Sequence, residues 1–186
     1  MKIHAPSSEQ GITLTETIVV ASISGLLATF AIPAYQDMIE RNRLRQAVES
    51  FKSDLQLART EAIKRSQNVV VSRKTGDAGT WCYGLTLRTA SKTSCDCEVS
   101  DPGADNFCDI KRIIGENFAQ TNLEAATINN NTFSFRRGTI NAGGATFSTQ
   151  QYIARVVVSD VGRVRLCRPN PLPAGKTALP NIQSAC

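Results

Sequence analysis

Sixteen consecutive residues without a charge, Thr17 to Ile32, follow directly on Gly11-Ile12-Thr13-Leu14-Thr15-Glu16 and are closed by Pro33. As a helix, residues 18–32 would span about 22 Å at ~1.5 Å per residue, short of a hydrocarbon core about 30 Å thick. Counting from Ile12 makes the segment long enough, provided that the Glu16 carboxylate is tolerated near one membrane face. An isolated acid beside an apolar helix is costly and needs a partner. The positively charged amine created by a cut between Gly11 and Ile12 would be one.

A secretory signal peptide is the bland alternative. It wants a charged start, an apolar core and a small-residue cleavage site behind that core. Ahead of Gly11, only Lys2 and His4 are candidate positive charges, and that class expects no glutamate at the mouth of the apolar run. Gly11, Thr13, Leu14 and Glu16 instead resemble the signature of the type IV pilin superfamily. Precursors of that family carry a short leader ending in Gly, then typically Phe-Thr-Leu-Ile-Glu. Ile12 stands here for the usual Phe, and Thr15 for the usual aliphatic residue. The resemblance implies cleavage after Gly11 and N-methylation of Ile12 by a prepilin peptidase. It also implies Glu16 as the assembly residue, pairing with the amine of a neighbouring pilin. Pro33 falls where many pilin helices bend.

Beyond Pro33 the helical pattern continues. Leu44, Val48, Phe51, Leu55, Ala58 and Ala62 recur at steps of three and four, an apolar stripe on one face. Arg41, Arg43, Arg45, Lys52, Arg59 and Lys64 fall largely off it, and the first three read as a solvated face or as filament contacts. One helix bent near Pro33 is expected from about 12 to 66. Its end, Leu57-Ala58-Arg59-Thr60-Glu61-Ala62-Ile63-Lys64-Arg65, resembles a motif of the GspH/FimT minor pilins and pseudopilins.

After Asn68 the pattern turns to β. Val69 to Arg73 and Trp81 to Leu87 read as a hairpin around the turn cluster Thr75 to Gly79. Residues 89–109 read as a polar stapled loop. Thr132 to Arg136 is a short strand, Gly143-Gly144 marks a turn, and Tyr152 to Val158 is the strongest strand in the chain. Ser159 to Gly162 turns it into Arg163 to Cys167. The tail, 168–186, holds four prolines and is expected to be extended or looped.

The six cysteines, Cys82, Cys95, Cys97, Cys108, Cys167 and Cys186, all lie downstream of the apolar segment. An even number confined to an exported part suits disulfides. Zinc would need four thiolates from irregular spacings, and no metal is expected. Pairing Cys167 with Cys186 would pin the tail; Cys82, Cys95, Cys97 and Cys108 would then pair among themselves.

Catalysis finds little support. With His4 in the leader, the mature chain has no histidine for acid–base work, and no glycine-rich phosphate loop is present. No enzyme activity and no cofactor are expected. The net charge of +5 is split: residues 75–132 carry four Lys/Arg against eight Asp/Glu, and residues 133–186 carry seven against one. In Gly162-Arg163-Val164-Arg165 the arginines share one strand face, about 7 Å apart at ~3.4 Å per residue. Arginine forks suit phosphate. Arg168, Arg155, Arg136, Arg137 and Lys176 are candidate additions. The motif resembles the G-R-x-R element of FimT-type minor pilins, which implies double-stranded DNA as a partner in natural transformation. The plain alternative is a basic strand that discourages edge pairing or meets acidic neighbours in a filament.

The expectation is therefore an α+β, type IV pilin-like fold: a long N-terminal helix packed on an antiparallel sheet with disulfide-stapled loops. Residues 1–11 would be the prepilin leader and 12–35 the transmembrane and filament-core half of the helix. Residues 36–186 would be the periplasmic domain, comprising helix 36–66, β domain 67–168 and tail 169–186. The resemblance implies a minor pilin, or a type II secretion pseudopilin, anchored in the inner membrane by a single pass and then placed in a filament or at its tip.

Overall fold

The computed structural model describes residues 11–182 and 184–186, so the first ten residues of the expected leader lie outside the described residues. One helix, α1, runs Leu14–Arg65 and continues through Pro33. The chain divides into two compact units, one ending at Ile39 and the other spanning Glu40–Cys186.

In the first unit every residue from Gly11 to Gln36 is exposed, and the helix is long and apolar enough to cross a membrane. Three of its hydroxyls, on Thr17, Ser22 and Thr29, bond back to carbonyls of the preceding turn. Ser22 Oγ donates to the Ile18 carbonyl at 2.8 Å, and Thr29 Oγ1 to that of Leu26 at 2.7 Å. Hydroxyls folded back onto the helix in this way need no water, which is the condition for placing them in hydrocarbon. At the start, Thr13 Oγ1 accepts the Glu16 backbone N–H at 3.3 Å. Thr13-Leu14-Thr15-Glu16 thus reads as a capping-box sequence, with an acid in the first turn facing the positive end of the helix dipole.

In the second unit the apolar stripe is the core. Leu44, Ala47, Val48, Phe51, Leu55, Ala58 and Ala62 have no exposed surface. Removing a side chain such as Leu or Phe from water contributes roughly 1.5–3 kcal/mol. Two antiparallel sheets complete the core. The first has the order β3-β2-β1-β5, built from β1 (Val69–Lys74), β2 (Cys82–Leu87), β3 (Lys111–Ile114) and β5 (Asn131–Phe133). The second has the order β4-β6-β7-β8, from β4 (Asn122–Ala126), β6 (Gly143–Ser148), β7 (Tyr152–Val158) and β8 (Val164–Cys167). A short strand, β9 (Thr177–Ala178), runs parallel to the start of β7.

The stapled loop roofs the first sheet. Cys82 pairs with Cys97, Cys95 with Cys108, and Cys167 with Cys186. A Cβ on Gly84 would stand 2.2 Å from Cys108 Sγ, so β2 carries glycine where the Cys95–Cys108 bridge crosses it. Beside that bridge, the Cys95 N–H donates to Ser72 Oγ at 3.0 Å, and Thr86 Oγ1 to Asp109 Oδ2 at 2.7 Å. Burial pushes the Asp109 carboxyl up. Hydrogen bonds from Lys92 and Thr86, with the Lys92 charge, outweigh it and hold the group below the usual carboxylate range.

Three expectations need correction. Gly143-Gly144 is not a turn but the start of β6, with Gly144 opposite Val157. A Cβ there would meet the Val156 carbonyl at 2.8 Å and Arg155 Nε at 2.9 Å, so glycine serves close approach rather than reversal. The stretch before it holds a strand, β4, that no alternation announced. Arg41, Arg43 and Arg45 are not simply a solvated face. Arg41 lies 5.5 Å over the Tyr152 ring, Arg43 donates to Gln120 Oε1 at 2.9 Å, and Arg45 donates to the Pro180 carbonyl at 3.1 Å.

Candidate functional site

The turn that joins β7 to β8 is built around a glycine no other residue could replace without strain. Gly162 has φ +77°, and a Cβ there would lie 2.4 Å from the Gly138 carbonyl and 3.1 Å from Arg59 Nε. Ser159 closes the turn: its carbonyl accepts the Gly162 N–H at 2.8 Å and its Oγ accepts the Arg163 N–H at 3.2 Å. The chain therefore leaves Gly162 in a set direction, and alternation does the rest. Val164 and Leu166 pack against the core, while Arg163 and Arg165 are exposed.

The two arginines line one hollow of about 410 Å³ together with Val157, Ser159 and Val161. Val157 lies directly opposite Arg165 in the ladder, and Val161 is 59% exposed. The site is thus part cationic and part apolar. Neither arginine has an ion-pair partner among the described residues.

The other candidates are distributed unevenly. Arg155 opposes Cys167 and Thr146, on the same sheet face as Arg165, and its Nε is buried without a hydrogen-bond partner. Arg136 and Arg137 are exposed in the loop that meets this turn, where the Ile140 N–H donates to the Asp160 carbonyl at 3.0 Å. Arg168 exposes its side chain, but its backbone is committed to the tail, donating to the Ser184 carbonyl at 2.9 Å. Lys176 is not brought to the site. Its Nζ donates to the Thr149 and Gln150 carbonyls at the Tyr152 end of β7, whereas Arg163 lies past the Val158 end, about 20 Å along a seven-residue strand.

One residue was missed. Arg59, on α1, is half-buried, with its Nε enclosed and unpaired. It lies against two positive-φ glycines, Gly162 and Gly138 (φ +61°); a Cβ on Gly138 would stand 2.8 Å from that same Nε. The motif at the end of α1 is thereby in contact with the turn that launches Arg163. Its position in the Leu57–Arg65 stretch was the available signal, but a place off the apolar stripe gave no sign of burial.

The comparisons with known proteins agree with this architecture. The family model described as type II transport protein GspH matches residues 47–162, more than half of the chain. A type IV major fimbrial protein FimA of Dichelobacter nodosus is 29% identical over 116 residues, 61% of this chain and 72% of its own. Another FimA of that organism is 30% identical over 118 residues, covering 61% and 71%. Among solved structures, the type IV minor pilin FimU of Pseudomonas aeruginosa superposes with a TM-score of 0.50 at 18% identity. That match covers 69% of this chain and 91% of FimU.

Proposed function

This chain belongs to the GspH family, and from that premise we propose that it is a minor pilin or pseudopilin that enters or primes a filament after cleavage at Gly11. The observation that carries this is the helix α1. Its first part presents a run of exposed apolar side chains behind a carboxylate, Glu16, with the hydroxyls of Thr17, Ser22 and Thr29 bonded back onto the chain. Its later part forms the core of a pilin-fold domain. A helix exposing that much apolar surface needs either lipid or other helices of the same kind around it. The inner membrane supplies the first environment and the filament core the second. Cleavage by a prepilin peptidase would free the Ile12 amine. In a neighbouring subunit that amine would neutralise the Glu16 carboxylate, leaving the other pilins of the filament as its partners.

The test compares wild type with Glu16→Ala in cells, separating membranes from sheared filaments. Both proteins should be found in the membrane, with a mature amino terminus at a methylated Ile12, and only the wild type in filaments. Normal incorporation of Glu16→Ala would remove the charge-pairing step.

A second reading uses Arg163 and Arg165 to hold double-stranded DNA for uptake, with Arg155, Arg136 and Arg137 nearby. Its support is the exposure of two unpaired guanidiniums on one face. Contacts of this kind engage phosphates, so binding would be sequence-tolerant and weaken steeply with salt. Titrating residues 36–186 with unrelated duplexes at two salt concentrations, beside Arg163→Gln/Arg165→Gln, decides it. No binding at low salt excludes the reading.

A further inference from the structure

We propose that the hollow lined by Arg163 and Arg165 receives the acidic loop tip Asp101–Asp105 of a second copy of this chain. The contact rests on the filament reading and names one partner within it.

The hollow itself argues against a purely phosphate ligand. Val157 and the largely exposed Val161 form part of its wall, and a phosphate group by itself has nothing apolar to set against them. A protein tip that couples apolar atoms to carboxylates would match both halves. Residues 101–105 have that composition: Asp101 and Asp105 are exposed on either side of Pro102-Gly103-Ala104, and Pro102 is exposed as well. Neither acid has an ion-pair partner among the described residues, and neither arginine does. Arginine–carboxylate pairs are among the stronger charge-assisted contacts.

The tip is also held in shape before it meets anything. The Gly103 N–H donates to Asp101 Oδ1 at 2.9 Å, the Ala104 N–H to the Asp101 carbonyl at 3.2 Å, and the Phe107 N–H to the Ala104 carbonyl at 3.1 Å. The Cys95–Cys108 and Cys82–Cys97 bridges anchor its base, and Arg112 Nε donates to the Cys97 carbonyl at 2.6 Å. A rigid loop loses little entropy on docking.

Tip and hollow are different surfaces, the one fastened to the β3-β2-β1-β5 sheet and the other part of the β4-β6-β7-β8 sheet. A contact between unlike surfaces that is not reciprocated within the pair leaves one of each free, and where the rotation does not close a ring it propagates as an open helical row. That is the symmetry of a filament.

The test uses the full chain in detergent micelles with a photo-activatable residue at Val161, mixing unlabelled and nitrogen-15-labelled copies. Cross-links should join position 161 of one isotope to the tryptic stretch 93–111 of the other. The yield should fall as salt screens the exposed charges. Arg163→Glu/Arg165→Glu should lower it roughly tenfold or more, since like charges then face each other. Mixing that variant with Asp101→Lys/Asp105→Lys copies should restore it. Absence of mixed-isotope cross-links to 93–111, or failure of the charge swap to restore them, overturns the contact. So does duplex DNA occupying position 161 in place of the loop. A chain that enters sheared filaments yet gives no such cross-link overturns this contact alone; one that never enters filaments overturns the filament reading with it.

Discussion

The Tyr83 hydroxyl donates a 2.8 Å hydrogen bond to Asp54 Oδ2, joining the middle of α1 to β2 inside the core. Asp54 is only 2% exposed, and its other oxygen accepts from Lys111 Nζ on β3 at 2.6 Å. Ser50 Oγ lies 3.1 Å from the same hydroxyl. Around this polar link the rings interlock: Phe51 meets Tyr83 edge-on at 4.9 Å, and Trp81 meets Phe147 at 5.3 Å. The helix is thus held to the β3-β2-β1-β5 sheet by a directional network as well as by apolar contact.

That network sets an order of costs. Tyr83→Phe removes one donor while Asp54 keeps Lys111, and should cost about 1 kcal/mol. Asp54→Ala takes a partner from the Lys111 ammonium and leaves the buried Tyr83 hydroxyl with Ser50 alone, and should cost more, about 1–3 kcal/mol. Urea unfolding of both variants checks the ranking; equal costs would mean that Lys111 contributes nothing.

Alkali should find the same residue. Burial first, and then the Asp54 charge, push the Tyr83 hydroxyl far above the usual tyrosine range. The folded chain therefore keeps a proton that the unfolded chain releases near pH ~10. The contribution is fully present below that pH and is lost above it, at ~1.4 kcal/mol per pH unit. Tyr83→Phe should remove this slope, so the gap between wild type and variant should narrow as pH rises through about 10–11. A constant gap would contradict the assignment.

Gly162→Ala should be destabilising by about 2 kcal/mol or more, because it places a Cβ at positive φ against the Gly138 carbonyl. It should also misdirect Arg163 and so weaken whatever binds the hollow. Measuring unfolding and the position-161 cross-link on the same preparation separates the two effects.

The Cys167–Cys186 bridge closes a segment of 19 residues, and Cys167→Ser/Cys186→Ser should cost about 3 kcal/mol on the loop-entropy scale. Limited proteolysis should then cut within 169–186 before it cuts elsewhere. Unchanged protection would mean that β9 and the Arg45–Pro180 contact suffice to hold the tail.

Periodicity made the helix and most strands visible. Steps of three and four from Leu44 to Ala62 define the buried stripe in any context, because a helix repeats at 3.6 residues. Strand alternation likewise places Arg163 and Arg165 on one face wherever β8 goes. Glu16 behind Gly11 was equally plain, since an acid at the head of an apolar run is a local anomaly.

What local pattern could not supply was the choice of neighbours. Gly143-Gly144 looks like a turn until Arg155 and Val156 are known to cross it. Lys176 looks like part of a basic patch until β9 carries it to the far end of β7. Arg59 is only an off-stripe cation until two glycines, 79 and 103 residues later in the chain, close around it. From the sequence alone came the helix, most of the strands and their buried faces, because these depend on residues within a few turns of one another. The tertiary structure alone decided which arginines meet and which glycines are irreplaceable. Those properties depend on register and close approach between segments far apart in sequence, and no periodicity encodes them.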